Sequence, residues 1–187
     1  VPGLVSPDGG MWRTTAETAE HASAEEVDRE LRAQFDRALE FGSDVTHLDA
    51  QMGTVFQTRF VDVYAALARD YRLPVFLPRV DREVLEGAGL SGAARKYIDL
   101  IDALEADGIP VFDHFNSDSL GFEPGTGGAH TLARRDALPS GLSYLIIHAA
   151  EGGEQLEAIT SDWRQRDEER RVYSSGVNHE ALDARAF

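Results

Sequence analysis

A parallel-stranded α/β fold is predicted by three observations on this 187-residue chain. Helical stripes alternate with short apolar runs about four times along the sequence. The apolar runs are bounded by Gly, Pro, Ser and Asp, the residues that punctuate strands. Each run also ends in polar side chains: His47, Asp49 and Gln51; then Arg79; then Asp113 and His114; then His148. In parallel α/β folds chemistry gathers at the carboxyl ends of strands. A complete eight-stranded barrel takes roughly 250 residues, and this length supplies about half to two-thirds of one. Either the sheet is open or the chain is a partial barrel. By length, residues 1–187 are read as a single domain. The chain starts at Val1 and not at Met, so it is expected to be truncated at its N-terminus, and a final short helical segment suggests the same at the C-terminus.

Residues 1–15 are rich in Gly and Pro, and Ser6-Pro7-Asp8-Gly9-Gly10 is a turn signal beside which Met11 and Trp12 are expected to pack. Ser23-Ala24-Glu25-Glu26 is a capping box that opens a helix of about 18 residues. Val27, Leu31, Phe35, Ala38 and Leu39 form its apolar stripe, and Phe41-Gly42 closes it. A strand follows through Thr46-His47-Leu48-Asp49-Ala50-Gln51-Met52-Gly53. Phe60, Val63, Tyr64, Leu67 and Tyr71 then recur at helical spacing. Pro74-Val75-Phe76-Leu77-Pro78 reads as a short buried strand. Ser91 caps a helix striped by Tyr97, Ile98, Ile101 and Leu104, which Asp107-Gly108 ends. Ile109-Pro110-Val111-Phe112-Asp113-His114-Phe115 is a third strand.

Residues 116–130 form a polar, glycine-rich loop, expected to be mobile, either a lid over substrate or disordered. A short helix is expected around 132–138. Leu142-Ser143-Tyr144-Leu145-Ile146-Ile147-His148 is the clearest strand. A charged helix from 154 to about 171 should turn Leu156, Ile159 and Trp163 inward, and 178–187 reads as a further helix.

The stretch 46–53 carries the most chemistry. Alternate strand residues share a face, which puts His47, Asp49 and Gln51 on one side and Leu48, Ala50 and Met52 on the other. The apolar side can pack on helices. The polar side must face something wet, charged or metallated, because an unpaired buried carboxylate is costly. A His–Asp pair that only braces loops is the structural alternative.

Composition excludes several partners. Thirty-three acidic residues against 18 basic ones leave a formal charge of -15. Nucleic-acid phosphates and anionic membrane surfaces both call for basic patches, so neither is an expected partner. No cysteine is present, which removes disulfides and thiolate metal sites. No apolar run has the length of a membrane span and no signal peptide is visible, so the expected location is the cytoplasm. The 42% hydrophobic content suffices for a substantial core. A homodimer is an allowed assembly. A phosphate-loop pattern is absent from the glycine-rich stretch, which disfavours a nucleotide-binding reading.

Three segments in order, Thr46-His47-Leu48-Asp49-Ala50-Gln51-Met52-Gly53, Val111-Phe112-Asp113-His114 and Tyr144-Leu145-Ile146-Ile147-His148-Ala149-Ala150, resemble the YdjC/ChbG-like carbohydrate deacetylase family. Asp162-Trp163-Arg164-Gln165-Arg166-Asp167 resembles the helix that follows the last of these in that family. The resemblance implies a distorted (β/α) barrel and metal-dependent removal of acetyl from an N-acetylated sugar, with a small carbohydrate as the partner. It implies a divalent metal, zinc or magnesium, held by an Asp and a His expected upstream of Val1 and by a His-x-Asp-x-His pattern. His47 and Asp49 match the first two polar positions of that pattern. Gln51 stands where the family has its ligand His, and a carboxamide oxygen is a poorer ligand than imidazole. His47 and a weakly coordinating Gln51 are therefore the metal candidates in this chain. Ala50 and Ala149 depart from the family's small hydroxyl residue and proline.

Within that resemblance, His148 is the candidate general acid or oxyanion partner, and Asp49 the carboxylate that orients a histidine or a metal ligand. Structural readings stand beside both, a backbone-bonded His and a loop brace. Arg79 is a candidate sugar or carboxylate clamp, or else the partner of Asp81 or Glu83. Asp113 and His114 are candidate substrate contacts, with Asp113 alternatively a loop cap. Arg166 is a further substrate candidate, although it and Asp167 lie on a charged helix whose side chains are more often solvated. His21, His130 and His179 are read as surface residues. A non-catalytic, sugar-binding or scaffold member of the same fold, with its metal site lost through Gln51, is the competing reading.

Overall fold

The computed structural model describes residues 1–50, 52–77, 79 and 91–176. The chain divides into two compact units, Val1–Phe112 and Asp113–Phe187, and each is described by itself.

In the first unit the Ser6–Gly10 turn forms as its residues predict. Ser6 N–H bonds Gly10 O at 2.8 Å, and Gly9 supplies the positive φ of 85° that the turn needs. Trp12 donates to Gly3 O at 2.8 Å and stacks on His21 with ring centroids 4.0 Å apart. Met11 remains 55% exposed, so only Trp12 packs. Helix α1, Thr15–His21, was not expected. Thr14 and Glu17 cap it reciprocally, but the segment lacks the apolar stripe by which helices are recognised.

Helix α2, Ala24–Glu40, starts at the predicted capping box. Ser23 accepts from Glu26 N–H, and the Glu26 carboxylate accepts from Ser23 N–H. Glu26 also accepts Gly3 N–H at 2.8 Å, which ties the N-terminal turn to the helix. Helix α3, Val61–Tyr71, and helix α4, Ser91–Ala106, complete the helical layer. α4 ends at Gly108, where φ is 76°. Ile109 N–H there bonds Leu104 O at 2.9 Å and Gly108 N–H bonds Glu105 O at 2.9 Å, closing the last carbonyls. Val61, Tyr64, Ala65 and Ala68 of α3 and Ile101 and Leu104 of α4 pack with Val75, Leu77, Ile109 and Val111. Each Val, Leu or Ile among them contributes about 1.5–3 kcal/mol on burial, and each Ala roughly one methylene's worth, about 0.8 kcal/mol.

The three apolar runs of this unit are extended, but their ladders are short. Leu48 and Val75 form one parallel bridge: Leu48 N–H bonds Pro74 O at 2.9 Å, and Phe76 N–H bonds Leu48 O at 2.8 Å. Arg79 N–H bonds Phe112 O at 2.8 Å. Proline explains the brevity. Pro74, Pro78 and Pro110 have no N–H to give a ladder. After the bridge, Gly53 N–H turns back to Ala50 O at 2.9 Å, so the continuous strand expected over 46–53 is a single bridge followed by a turn. Met52, expected on the apolar side, is 71% exposed because the chain has already turned. Gln51 and Pro78 lie outside the described residues.

In the second unit, strand β1, His114–Asn116, pairs in parallel with β2, Ser143–Leu145, placing His114 opposite Ser143 and Asn116 opposite Leu145. The crossover contains helix α5, Gly127–Asp136, which begins within the glycine-rich loop and earlier than expected. The charged region forms two helices rather than one: α6, Glu154–Ile159, and α7, Trp163–Ser174. The break at 160–162 leaves Ile159 fully outside the α7 stripe and 79% exposed, against the expectation that it turns inward. The helix expected at 178–187 lies outside the described residues. α5 packs on α7. The fold is thus mixed α/β with parallel pairing.

Candidate functional site

His148 follows β2, where the apolar run leaves the sheet. Its backbone N–H bonds the Glu169 carboxylate at 2.6 Å, and its ring Nδ1 lies 2.7 Å from Ser119 Oγ. Ser119 Oγ is also 3.3 Å from the same Glu169 oxygen. Ser119 and Glu169 are each only 1% exposed. The second Glu169 oxygen faces the buried Arg134 guanidinium at 3.6 Å. Arg134 is itself held by Asn116 Oδ1 at 3.0 Å and by Ile146 O at 2.8 Å. The Glu169 carboxylate is thus held at Oε2 by a backbone N–H and a hydroxyl, while Oε1 has the Arg134 charge beside it but no hydrogen bond; a buried ionisable group calls for such a counter-charge.

Arg166 lies beside this cluster. It is bonded to Asp162 one turn earlier at 2.7 Å and reaches His148 O at 3.5 Å. The Arg166 bond first, and then one from the Thr160 hydroxyl, hold the Asp162 carboxyl below the usual carboxylate range. Asp167 corrects the expectation of a solvated helix charge: it is 5% exposed. It accepts Gly152 N–H at 3.0 Å and pairs with Arg170 at 2.9 Å and with Arg171. The Gly152 bond leads in lowering its pKa, followed by the arginines. Gly152 has to be glycine there, since a Cβ would sit 2.8 Å from the Asp167 carboxyl carbon.

Asp113 and His114 brace a turn. Leu142 N–H bonds Asp113 Oδ2 at 2.9 Å, and His114 Nε2 lies 3.0 Å from Ser140 O. Asp113 therefore caps the segment leading into β2, not the glycine-rich loop. That loop is tied by hydrogen bonds to α7 and within itself. Glu168 accepts Gly125 and Gly127 N–H groups, both at 2.8 Å, and His130 Nε2 lies 2.8 Å from Asp118 O. His130 is thus half-buried and bonded, not a free surface residue.

His47, Asp49 and Arg79 belong to the first unit. Leu48 and Ala50 pack on its core, while His47 and Asp49 are exposed, as the alternation predicts. Tyr64 OH fixes the segment by donating to Leu48 O at 2.8 Å. His47 Nδ1 lies 2.9 Å from Thr46 Oγ1, and Asp49 Oδ1 accepts Ala50 N–H at 2.7 Å. Both line a cleft of about 220 Å³ with Leu31, Phe35, Tyr64 and Leu67. Arg79 pairs with Glu105 of α4; Asp81 and Glu83 lie outside the described residues.

A catalytic zinc takes three protein ligands. His47 and Asp49 are two neighbouring donors, and among the described residues no group of three or more His, Cys, Asp or Glu could hold a metal ion. The described donors do not by themselves fit a metal site.

Ser119, Arg134 and Glu169 are the residues that sequence reasoning missed. Glu169 shares a helix face with Asp162, Arg166 and Tyr173, at three- and four-residue spacing. An Asp–Arg–Glu–Tyr stripe reads as solvated, yet here it is the inward one. Ser119 was hidden in a loop whose glycines suggested mobility.

The family model described as YdjC-like protein matches residues 1–184. A carbohydrate deacetylase of Thermus thermophilus is 34% identical over 157 residues, covering 84% of this chain and 53% of that protein. A carbohydrate deacetylase of Thermoanaerobacter pseudethanolicus is 23% identical over 169 residues, covering 90% of this chain and 59% of its own length. The chain spans about half the length of the curated relatives it matches. The crystal structure of a proposed cellobiose-phosphate cleavage protein from Enterococcus faecalis matches in fold with a TM-score of 0.69 at 22% identity, over 99% of this chain and 66% of that one.

Proposed function

The chain belongs to the YdjC-like family, and on that premise we propose that it is a carbohydrate deacetylase-like hydrolase that removes acetyl from an N-acetylated sugar. The deacetylase relative that shares 34% identity over 84% of this chain supports the reaction class. A distorted (β/α) barrel is a further part of the same reading, for which the fold likeness over the chain is the support. The observation that carries the reading is His148, held through Nδ1 at the exit of a parallel strand, with Nε2 left over from that network.

Amide hydrolysis forms a bond from water oxygen to the acetyl carbon and breaks the carbon–nitrogen bond. The two water protons end on the leaving nitrogen, directly or through solvent, so the products are acetate and the ammonium form of the amino sugar. His148 is assigned the proton delivered to the leaving nitrogen. Asp49, with one oxygen occupied by Ala50 N–H, offers its second to orient His47 or the attacking water. Arg79, Asp113, His114 and Arg166 are assigned to substrate contacts, as polar side chains at or near the ends of apolar runs or on the helix after the last of them. A divalent metal belongs to this reading only with ligands beyond His47, Asp49 and Gln51; it would supply polarisation of the carbonyl and an acidified water.

Acetate release from a chitobiose-like disaccharide by the full-length protein tests the reading. His148→Ala should lower kcat/KM by about 100-fold or more. Sugar binding without acetate release would overturn it in favour of a non-catalytic sugar-binding member. Unchanged turnover in His148→Ala would remove His148 from the chemistry.

A further inference from the structure

We propose that Ser119 and Glu169 are positioning residues that lock His148 with its proton on Nδ1, so that Nε2 is the nitrogen presented for proton exchange; this rests on the reading of His148 given above. A count of the available protons fixes the direction of each bond. Ser119 Oγ carries one hydrogen and lies within bonding distance of both His148 Nδ1, at 2.7 Å, and Glu169 Oε2, at 3.3 Å. The carboxylate only accepts. If the hydroxyl donated to Nδ1, two buried oxygens would face each other with no hydrogen between them, a repulsive contact in a low-dielectric setting. Directing the hydroxyl to Glu169 leaves Ser119 Oγ as the acceptor for Nδ1–H. The tautomer then follows from the hydrogen-bond network.

The other groups around the cluster agree with this direction. Glu169 Oε2 already accepts His148 N–H at 2.6 Å, so one oxygen reads both the backbone and, through Ser119, the ring of the same residue. Arg134 from α5 faces Oε1 at 3.6 Å and supplies the counter-charge. Arg166 from α7 contacts only the His148 carbonyl, at 3.5 Å, and does not compete for the ring. Tyr173, whose phenol burial pushes up in pKa, is the remaining titratable group beside Glu169 and Arg134. The arrangement runs from carboxylate to hydroxyl to imidazole, and all of its polar partners come from within the second unit. An imidazole held in the wrong tautomer cannot deliver or accept a proton at the required atom, and the penalty for that is large in catalytic triads.

The test is nitrogen NMR of the full-length protein labelled in histidine, at a pH where the ring is neutral, together with acetate release. Wild-type His148 is expected to be protonated at Nδ1. Ser119→Ala, which removes the hydroxyl and little volume, is expected to shift the ring toward the Nε2-protonated form. It should lower kcat by about tenfold or more while leaving KM unchanged. Glu169→Gln is expected to shift the tautomer in the same direction if its circular dichroism spectrum stays native, and Ser119→Ala alone decides the matter if it does not. A wild-type ring protonated at Nε2, or a Ser119→Ala ring that keeps the wild-type tautomer, overturns the proposal. These outcomes do not depend on the hydrolase reading. An inactive protein with the expected tautomer leaves the relay standing and removes the hydrolysis; an active one with the opposite tautomer does the reverse.

Discussion

Asp167 shows how much one side chain can hold. Its oxygens accept a backbone N–H from Gly152 and two guanidinium groups from Arg170 and Arg171. Its carboxyl is lowered by these bonds, the Gly152 one leading. A lowered acid binds fewer protons folded than unfolded between its two pKa values, so its contribution is present above the unfolded value near 3.9 and lost as pH falls through the folded one. Asp167→Asn should therefore cost about 1–2 kcal/mol at neutral pH. The gap to wild type should narrow as pH drops below about 4. Urea melts at both ends of that range check it, and a gap that ignores pH would refute the assignment. At this scale legibility depended on surroundings. His148 was found because it ends an apolar run. The burial of Asp167 and Glu169 is not legible, because charges along a helix ordinarily face water and burial depends on what packs against the helix.

Elements that start with their own chemistry were legible; elements that depend on neighbours were less so. The α2 capping box is local, and it formed where Ser23 and Glu26 said it would. The helices striped by Tyr64 and Leu67 and by Ile101 and Leu104 also formed. The strands were placed in order, but their lengths were not, because a ladder needs donors on both chains and prolines withdraw them. α1 escaped because seven residues carry no apolar stripe. Ser23→Ala should lower stability by about 1 kcal/mol. Glu26→Ala removes the reciprocal half of the cap and also the Gly3 bond. It should therefore speed amide exchange at residues 3–5 in addition to fraying α2, whereas Ser23→Ala should leave residues 3–5 as they are. Hydrogen exchange resolved by residue separates the two, and equal effects at 3–5 would show that Glu26 does not tether the N-terminal turn.

For the molecule as a whole, the two units are stabilised by different physics. Among the described residues, every buried apolar side chain lies within 1–112. The buried side chains of the second unit are Ser119, Thr131, Arg134, Asp167 and Glu169. Neither composition nor periodicity distinguishes the two, since apolar runs occur in both; what differs is which faces close over. Burying apolar area yields about 25 cal/mol per Å². A buried ion pair such as Arg134–Glu169 roughly offsets its own desolvation and adds little net stability, although breaking it is costly. The second unit should then open locally at lower free energy than the first. Native-state hydrogen exchange of the full-length protein in sub-denaturing urea tests this. Amides of α7 should exchange through openings that α3 and α4 do not share, and α7 should join the global transition only at higher urea. Identical opening free energies in α3, α4 and α7 would mean that the polar network is as strong as the apolar core. Salt provides a second check on the same physics. With a formal charge of -15, screening should slow exchange across the chain by relieving surface repulsion. The buried Arg134–Glu169 pair is shielded from that screening, so the difference in opening free energy between α7 and α3 should persist at about 1 M salt, where the Debye length is near 3 Å.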